Sequence, residues 1–386
     1  MREVVILDGV RTAFGRAQKG TLKDTRPDTM AGAVIREAVA RAKIDPKEVE
    51  DCVLGCAMPE GEQGLNVARV SAIIGGLPVE TAAMTINRFC SSGLNSIVIC
   101  ADRIAVGAID VAVAGGVESM SMIPMTGLKP SLNPDVVESH PEVFTPMGVT
   151  AENLARKYGV TRADQDAFAA ASHKKAAAAI EAHRFDAEIF ALATRVFDGG
   201  NSREVTFSRD ELVRPDTTVE KLAGLKPAFD PTGTVTAGNS SPLTDGAGAV
   251  VLASAERAKS LGGKPLGYLR HFAVAGVAPE LMGIGPVPAV QKLLKKANVK
   301  LADIDLWELN EAFAAQSLSV IRELGIPEDR INVNGGAIAL GHPLGVSGTR
   351  RVITLLQELR RRGKRLGVAT MCIGGGMGAA ALIEAA

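Results

Sequence analysis

Three residues of this 386-residue chain carry side chains suited to covalent chemistry and stand in unusual surroundings: Cys90, His342 and Cys372. Cys90 lies in Thr85-Ile86-Asn87-Arg88-Phe89-Cys90-Ser91-Ser92-Gly93-Leu94-Asn95-Ser96, just ahead of apolar positions Leu94, Ile97, Val98, Ala101 and Ile104 at helical spacing. A thiol before a helix N-terminus meets partial positive charge, which favours the thiolate and draws a pKa of about 8.5 down into the reactive range. His342, in Gly341-His342-Pro343-Leu344-Gly345, also precedes a helix, and Cys372 ends an apolar strand beside Gly374-Gly375-Gly376. A thiolate, an imidazole and a second thiol suit acyl transfer. The thiolate attacks a carbonyl, the imidazole activates it or holds an oxyanion, and a second thiol of near-neutral pKa moves a proton to or from carbon. Taken singly, each residue has a plain structural explanation, since free cysteine is among the most buried residue types. The combination is more specific than any member.

The elements that must position these groups alternate between strand and helix. Residues 4–7 read as a first strand, 28–42 as a helix, 49–57 as a strand and 109–116 as a continuous apolar run closed by glycines, as in a strand covered on both faces. This implies an α/β layered architecture. The last third repeats the first. Residues 42–50 echo 297–305, Thr85-Ile86-Asn87 is matched by Asn332-Val333-Asn334, and 109–116 by 366–370, at offsets of about 255 and 247 residues. Two copies of one α/β unit follow, with Cys90 before a helix in one and His342 before a helix in the other. If the copies face each other, their strand-to-helix junctions converge.

Between them the texture changes. Met120, Met122, Met125 and Met147 mix with prolines and glycines, a helix is expected to open at Thr150, and Thr161-Arg162-Ala163-Asp164 has the form of a capping box. Residues 214–230 read as loop, and Gly238 to Gly248 as small residues permitting close backbone approach before a strand at 249–253. The expected division is a first half at 1–118 and 243–266, an inserted loop domain at 119–242, and a second half at 267–386.

Bulk composition narrows the partners. Lys+Arg and Asp+Glu are both 43, so nothing global favours nucleic acid or an anionic membrane. No run approaches the ~18 apolar residues of a membrane span. The N-terminal stretch reads as a strand rather than a signal peptide, and the final Ile383-Glu384-Ala385-Ala386 is not a Ser-Lys-Leu address. Five cysteines, an odd number, argue for a reducing compartment and hence the cytoplasm. Cys52 and Cys56 have no second pair nearby to complete a metal site, so no metal is expected. Gly374 to Ala379 fits a dinucleotide-type glycine string, but too few residues follow for a βαβ unit. No Gly-x-Ser-x-Gly elbow or Walker loop is present.

With Asn310-Glu311-Ala312-Phe313 added, four strings stand in one order: Asn87-Arg88-Phe89-Cys90-Ser91-Ser92-Gly93-Leu94, the Asn310 string, Gly341-His342-Pro343-Leu344-Gly345 and Cys372-Ile373-Gly374-Gly375-Gly376. In these the whole chain resembles the thiolase family. The resemblance implies a duplicated five-layer αβαβα fold with an inserted loop domain. It implies Cys90 as the acylated nucleophile, His342 as its activator and part of one oxyanion hole, and Asn310 as holder of that hole's water. Cys372 would be the acid/base, and the N–H groups of Cys90 and Gly374 a second hole. Ser241 matches a pantetheine contact, Arg214 a residue near the adenine end of CoA, and Met147 and Phe313 positions lining the acyl pocket. CoA and acyl-CoA thioesters are then substrates, and no cofactor is needed. Pro146-Met147 stands where acetoacetyl-CoA-forming members have His-Met, which favours thiolytic cleavage of 3-oxoacyl-CoA in β-oxidation over synthesis of acetoacetyl-CoA. A non-catalytic lipid- or CoA-binding relative is the reading from another class, and the joint presence of Cys90, His342 and Cys372 argues against it. The family implies a homodimer or homotetramer and is compatible with a β-oxidation partner subunit.

Overall fold

The computed structural model describes residues 1–386. In the first half β1 (Val4–Arg11), β2 (Gly15–Arg16), α1 (Pro27–Ala42), β3 (Asp51–Gly55), α2 (Val67–Ile74), β4 (Ala82–Ile86), α3 (Ser92–Ala105) and β5 (Val111–Ser119) follow one another. The excursion holds α4 (Pro134–Ser139), α5 (Met147–Tyr158), α6 (Arg162–Glu181), the hairpin β6 (Leu192–Asp198) and β7 (Asn201–Phe207), and α7 (Val219–Ala223). The chain returns through β8 (Thr244–Ser254) and α8 (Ala255–Ser260). The second half runs β9 (Gly267–Gly276), α9 (Pro286–Ala297), β10 (Leu306–Leu309), α10 (Ala314–Leu324), α11 (Ala337–Leu340), α12 (Ser347–Arg362), β11 (Leu366–Ile373) and β12 (Met377–Ala385).

The local rules explain most boundaries. Pro27 opens α1, and Lys43 closes it in the left-handed conformation. Thr161 and Asp164 form a reciprocal capping box at the start of α6. Helix α5 starts at Met147 rather than at Thr150, because Pro146 already supplies the turn into the helix. Thr150 Oγ1 instead donates to Met147 O inside the first turn, at 2.7 Å. The β6–β7 hairpin is exposed along most of its length; burial alternates along β6, but Ala193 and Phe197 stand at exposed positions and Thr194 at a half-buried one, so the apolar pattern does not follow it. The stretch 214–230 holds the short helix α7, capped by Thr218. The glycine string 374–379 turns into β12, which pairs antiparallel with both β11 and β9.

The strand order is β10-β11-β12-β9-β1-β8-β5-β3-β4, with β2 on β8. The two ends of this list repeat each other. Strand β1 is antiparallel to β8, β8 to β5, and β5 is parallel to β3. Likewise β9 is antiparallel to β12, β12 to β11, and β11 is parallel to β10. The counterpart of β4 shrinks to a single parallel bridge, Trp307 to Ile331. The halves meet edge to edge at one residue pair, Ile6 and Gly267.

Five layers follow from side-chain alternation along the strands. Val111, Val113, Ala249 and Val251 face the core shared with α1 and α2. Ala112, Ala114, Val250 and Leu252 face α3 and α12, and so do Ala369, Met371, Ala379 and Ala381 from the other half. Val368, Ala380 and Leu382 face α9 and α10. Helices α3 and α12 thus form a middle layer between two sheets. Burying Leu94, Ile97, Ile353 or Leu356 there stabilises the fold by roughly 1.5–3 kcal/mol each. The excursion is pinned to this frame by Arg11, which is fully buried and pairs with Glu188 at 2.7 Å and Asp210 at 2.8 Å.

The middle layer needs backbone contact that only glycine permits. A Cβ on Gly116 of β5 would lie 2.0 Å from Gly345 O, and one on Gly348 of α12 would lie 2.4 Å from Leu94 N of α3. Both obstacles are backbone atoms. Gly116→Ala should therefore lower unfolding free energy by about 1–3 kcal/mol, read as a lower urea midpoint at unchanged m-value. An unchanged midpoint would mean that the layers tolerate separation.

Candidate functional site

Cys90 is set by a strained turn. Strand β4 ends at Ile86, and α3 begins at Ser92. Between them Phe89 adopts φ 42°, a left-handed conformation that costs a bulky residue roughly 1–3 kcal/mol. Neighbouring side chains hold it there. Asn87 Oδ1 accepts from Phe89 N at 2.8 Å, and Asn87 Nδ2 donates to Ala57 O at 3.0 Å. Ser92 Oγ accepts from Arg88 N at 2.8 Å and donates to Phe89 O at 2.7 Å. The thiol of Cys90 is buried among Ala17, Ala57, Met120 and Leu344. Leu344 comes from the His342 loop, so the two halves touch at the thiol.

The electrostatics differ from the sequence expectation. Complete burial pushes the Cys90 thiol up to about 11, against the opposing pull of the Gly374 and Cys90 N–H groups and of Arg351. Desolvation of the anion outweighs the helix N-terminus. Burial pushes the Cys372 thiol still higher, and the nearby Cys90 adds to it. Both thiols therefore rest protonated at neutral pH, rather than one of them lying near neutrality.

His342 sits on the loop between α11 and α12, also fully buried. Its backbone N donates to Thr244 Oγ1 at 3.0 Å. Its Nδ1 meets Ser347 Oγ at 2.5 Å, and Ser347 Oγ donates to Pro343 O at 2.8 Å. Its Nε2 lies 3.0 Å from Asn310 Nδ2. The amide oxygen of Asn310 accepts from Arg351 Nη2, so the amide NH2 faces the ring. Nε2 is then the acceptor, and Nδ1 carries the proton toward Ser347. Burial, and then Arg351, depress the imidazole to about 3. The ring is neutral, with its lone pair on Nε2.

Asn310 is held at the end of β10 by its N–H on Thr370 O at 2.9 Å. Glu311 beside it accepts from Ser172 Oγ at 2.7 Å and Asn332 Nδ2 at 2.8 Å, joining the second half to α6. Cys372, at the end of β11, lies in an apolar cluster with Ala312, Phe313, Val235 and Met282, and Met147 packs against it. Phe229 meets Phe313 edge-on at 5.8 Å. Gly374 lies beside Phe89 and Met147. Ser241 N donates to Ala312 O at 2.9 Å, which places it beside the same cluster. Arg214 is exposed, and its N–H donates to His173 Nδ1 at 3.2 Å. Of the four methionines singled out in the excursion, Met120 reaches the Cys90 cluster and Met147 the Cys372 cluster, while Met125 is exposed. Cys52 and Cys56 are buried free thiols, and no group of three metal-ligating side chains forms around them or elsewhere.

Three residues escaped sequence reasoning. Glu118 is a buried carboxylate that accepts from Ala57 N at 2.8 Å, Met58 N at 3.2 Å, Gln63 Nε2 at 2.9 Å and Gly345 N at 2.8 Å. It ties the loops after β3 and before α12 to the end of β5. The others are Ser347 and Arg351. Their signal was present: Glu118 is a lone charge in an apolar run, and Arg351 shares a helix face with Leu355 and Leu359.

The depressed histidines tie stability to pH. His342, at about 3, and His173, which burial lowers to about 4, bind their protons more weakly folded than unfolded. Their contribution is complete above the unfolded value of about 6.5 and is lost as pH falls below it. His342→Gln should flatten the loss of unfolding free energy with acidification by up to about 1.4 kcal/mol per pH unit below pH ~6, measured by urea unfolding. Parallel slopes for variant and wild type would contradict a neutral buried imidazole.

Comparison with known proteins identifies the family of the whole chain. Residues 4–256 match the family model "Thiolase, N-terminal domain", and residues 263–385 match "Thiolase, C-terminal domain". A 3-ketoacyl-CoA thiolase of Bacillus subtilis is 51% identical over 389 residues, covering 100% of each chain. A peroxisomal 3-ketoacyl-CoA thiolase B of Mus musculus is 46% identical over 386 residues, covering 99% of this chain and 91% of the mouse protein. The crystal structure of the Bacillus anthracis acetyl-CoA acetyltransferase superposes with a TM-score of 0.91 at 43% identity, covering 100% of this chain and 99% of that one.

Proposed function

The chain belongs to the thiolase family, and from that membership we infer its reaction: it is an acyltransferase that cleaves 3-ketoacyl-CoA with a second CoA, giving acetyl-CoA and a shortened acyl-CoA, in fatty-acid β-oxidation. The full-length similarity to 3-ketoacyl-CoA thiolases carries the reaction class. The convergence of two buried thiols with a neutral imidazole supports the following roles.

Cys90 is the nucleophile. Its thiol starts protonated, so attack needs a base, and the Nε2 lone pair of His342 suits that task. The proton passes from sulfur to Nε2, and the thiolate adds to the 3-keto carbon. The developing oxyanion is met by the new Nε2–H and by the Asn310 amide, or by a water it holds. Collapse breaks the bond between C2 and C3, leaves the acyl group on Cys90 and sheds the acetyl-CoA carbanion. Cys372, kept protonated by burial, gives that carbon its proton. The Cys372 thiolate then takes the proton of an incoming CoA thiol, and the CoA sulfur attacks the acyl-Cys90 carbonyl. The N–H groups of Cys90 and Gly374 bind the oxyanion in this half; its collapse breaks the bond to Cys90 sulfur, and the released thiolate takes back the proton from His342 Nε2. Thiols carry every step, so neither a metal nor a redox cofactor is called for, and CoA is a substrate.

Met147 and Phe313 pack beside Cys372 and line the acyl end of the pocket. Ser241 lies next to them at a position suited to the pantetheine arm, and the exposed Arg214 to the adenine end. Pro146 in place of a histidine favours degradative cleavage over acetoacetyl-CoA synthesis. A homodimer, alone or paired into a tetramer, suits the free edge strand β4 and the exposed apolar residues Leu65, Ile73 and Val79 near it. No helix is long and apolar enough to cross a membrane, and five unpaired thiols suit the cytoplasm.

Cys90→Ala should fold with a normal unfolding midpoint and lose CoA-dependent 3-ketoacyl-CoA cleavage by a factor of about 10³ or more. Near-normal turnover would sink the assignment. Cys372→Ala should still be acylated at Cys90 by an acyl-CoA, seen as a mass shift, yet fail to make or break the carbon–carbon bond. Loss of acylation together with unfolding would give Cys372 a structural role instead.

A further inference from the structure

One buried cation beside the His342 network has no charged partner. Arg351, on the first turns of α12, is 1% exposed. Its Nη1 donates to Ser347 O at 2.8 Å and its Nη2 to the Asn310 amide oxygen, while Nε has no partner. No carboxylate forms an ion pair with it. Glu308, the acid at the end of β10, is taken by Arg350 at 2.8 Å. A buried guanidinium whose hydrogen-bond acceptors are both neutral is costly. An apolar side chain would fill the same face beside Leu355 and Leu359. Its contacts therefore indicate what it does for the site.

We propose that Arg351 is a positioning residue: it holds the Asn310 amide oxygen so that the amide NH2 stays turned toward His342, and it is the counter-charge for the Cys90 thiolate. The first part sets the histidine tautomer. An Asn310 NH2 facing Nε2 requires a lone pair there and a proton on Nδ1. The Cys90 S–H must first displace the Asn310 N–H from that single lone pair; the S–H bond then breaks, an N–H bond forms on Nε2, and the ring becomes a donor. The amide NH2 no longer has an acceptor in the ring. Its oxygen stays on Arg351, so the NH2 is released toward the substrate oxygen or a bound water. The resting Asn310–His342 hydrogen bond thus keeps the first oxyanion hole closed until the Cys90 S–H engages the ring.

The second part follows from packing and from the charges that face Cys90: α12, which carries Arg351, packs directly on the Phe89–Ser91 turn that holds Cys90. Glu118 from β5 opposes the thiolate, and Cys372 from β11 is a neutral thiol. His342 is neutral until it takes the proton. Arg350 is neutralised by Glu308 from β10, and Glu311 lies beyond Asn310. Arg351 is the one cation among these groups that favours the thiolate.

The proposal rests on Cys90 as nucleophile, and the test separates the two. Arg351→Met and Arg351→Lys are made in the full chain. Iodoacetamide labelling of Cys90, read by mass, gives the rate of thiolate reaction against pH, and thiolysis of a 3-ketoacyl-CoA gives kcat and KM. In the Met variant the labelling midpoint should rise by about half a pH unit or more, and kcat should fall about tenfold or more with KM for CoA changed less than about twofold. The Lys variant should restore the midpoint but not kcat, because one ammonium cannot span both Ser347 O and the amide oxygen as the guanidinium fork does. An unchanged midpoint and kcat in the Met variant would overturn the proposal. So would equal kcat losses in both variants with neither midpoint moved, since a merely structural residue behaves that way. If the Met variant fails to fold, Arg351→Gln takes its place with the same expected midpoint and kcat. Cleavage that survives complete labelling of Cys90 in the wild type would instead remove the nucleophile itself.

Discussion

The close approach of α3 to α12 is the constraint on which the rest of the structure depends. Both helices lie between sheets, and both carry a chemically useful group at or just before the first turn. They meet backbone to backbone: Gly348 against Leu94, and Gly93 against Thr349, whose Oγ1 donates to Gly93 O at 3.2 Å. Gly116 of β5 lies equally close to Gly345. Any Cβ at these positions would wedge the layers apart and withdraw the His342 loop from Cys90. The glycines of the two motifs are thus contacts between halves more than loop flexibility.

Burial is the second consequence. Because the middle layer is covered by both sheets, its polar groups leave water almost entirely. Desolvation raises both thiols and lowers His342 and Arg351, the last to about 9. A dry site keeps the two thiols and His342 in their neutral forms until a proton is handed across, leaves Arg351 charged at neutral pH, and strengthens every dipole aimed at a developing charge. Such a site suits thioester exchange, in which water would compete with CoA for the acyl group. The folding cost is a set of buried polar side chains that need partners: Asn310 and His342 find them in other side chains, while Ser347, Glu118 and Glu311 also use main-chain groups.

Duplication supplies the geometry, and divergence supplies the chemistry. In the sheet registers Cys372 is opposite Gly378 across β11 and β12, just as Glu118 is opposite Gly246 across β5 and β8. One copy puts a thiol at this strand end, and the other a carboxylate that fastens neighbouring loops. Asn310 follows β10 as Cys56 follows β3. Equivalent positions therefore do different work in the two halves, reactive in one and structural in the other.

The sequence by itself determined the α/β class, the repeat, the candidate reactive residues and the family resemblance. These rest on patterns that are local in the chain: apolar runs closed by glycines, Asn87 and Ser92 bracketing Cys90, and Gly341 and Pro343 bracketing His342. Burial on both faces was legible for β5 because 109–116 reads as a continuous apolar run. The β6–β7 hairpin was not, since its apolar residues fall on both the more buried and the exposed face of β6, as Val196 and Phe197 do. Tertiary structure alone decided the protonation states and the supporting groups. A helix N-terminus is visible in sequence and favours a thiolate, but the sheets that desolvate Cys90 come from distant segments and reverse the balance. Glu118, Ser347 and Arg351 acquire their meaning only from acceptors and donors far along the chain or on another element. Hydrogen bonding is directional and short-ranged, so which way the Asn310 amide faces, and hence which nitrogen of His342 is free, exists only in the folded chain.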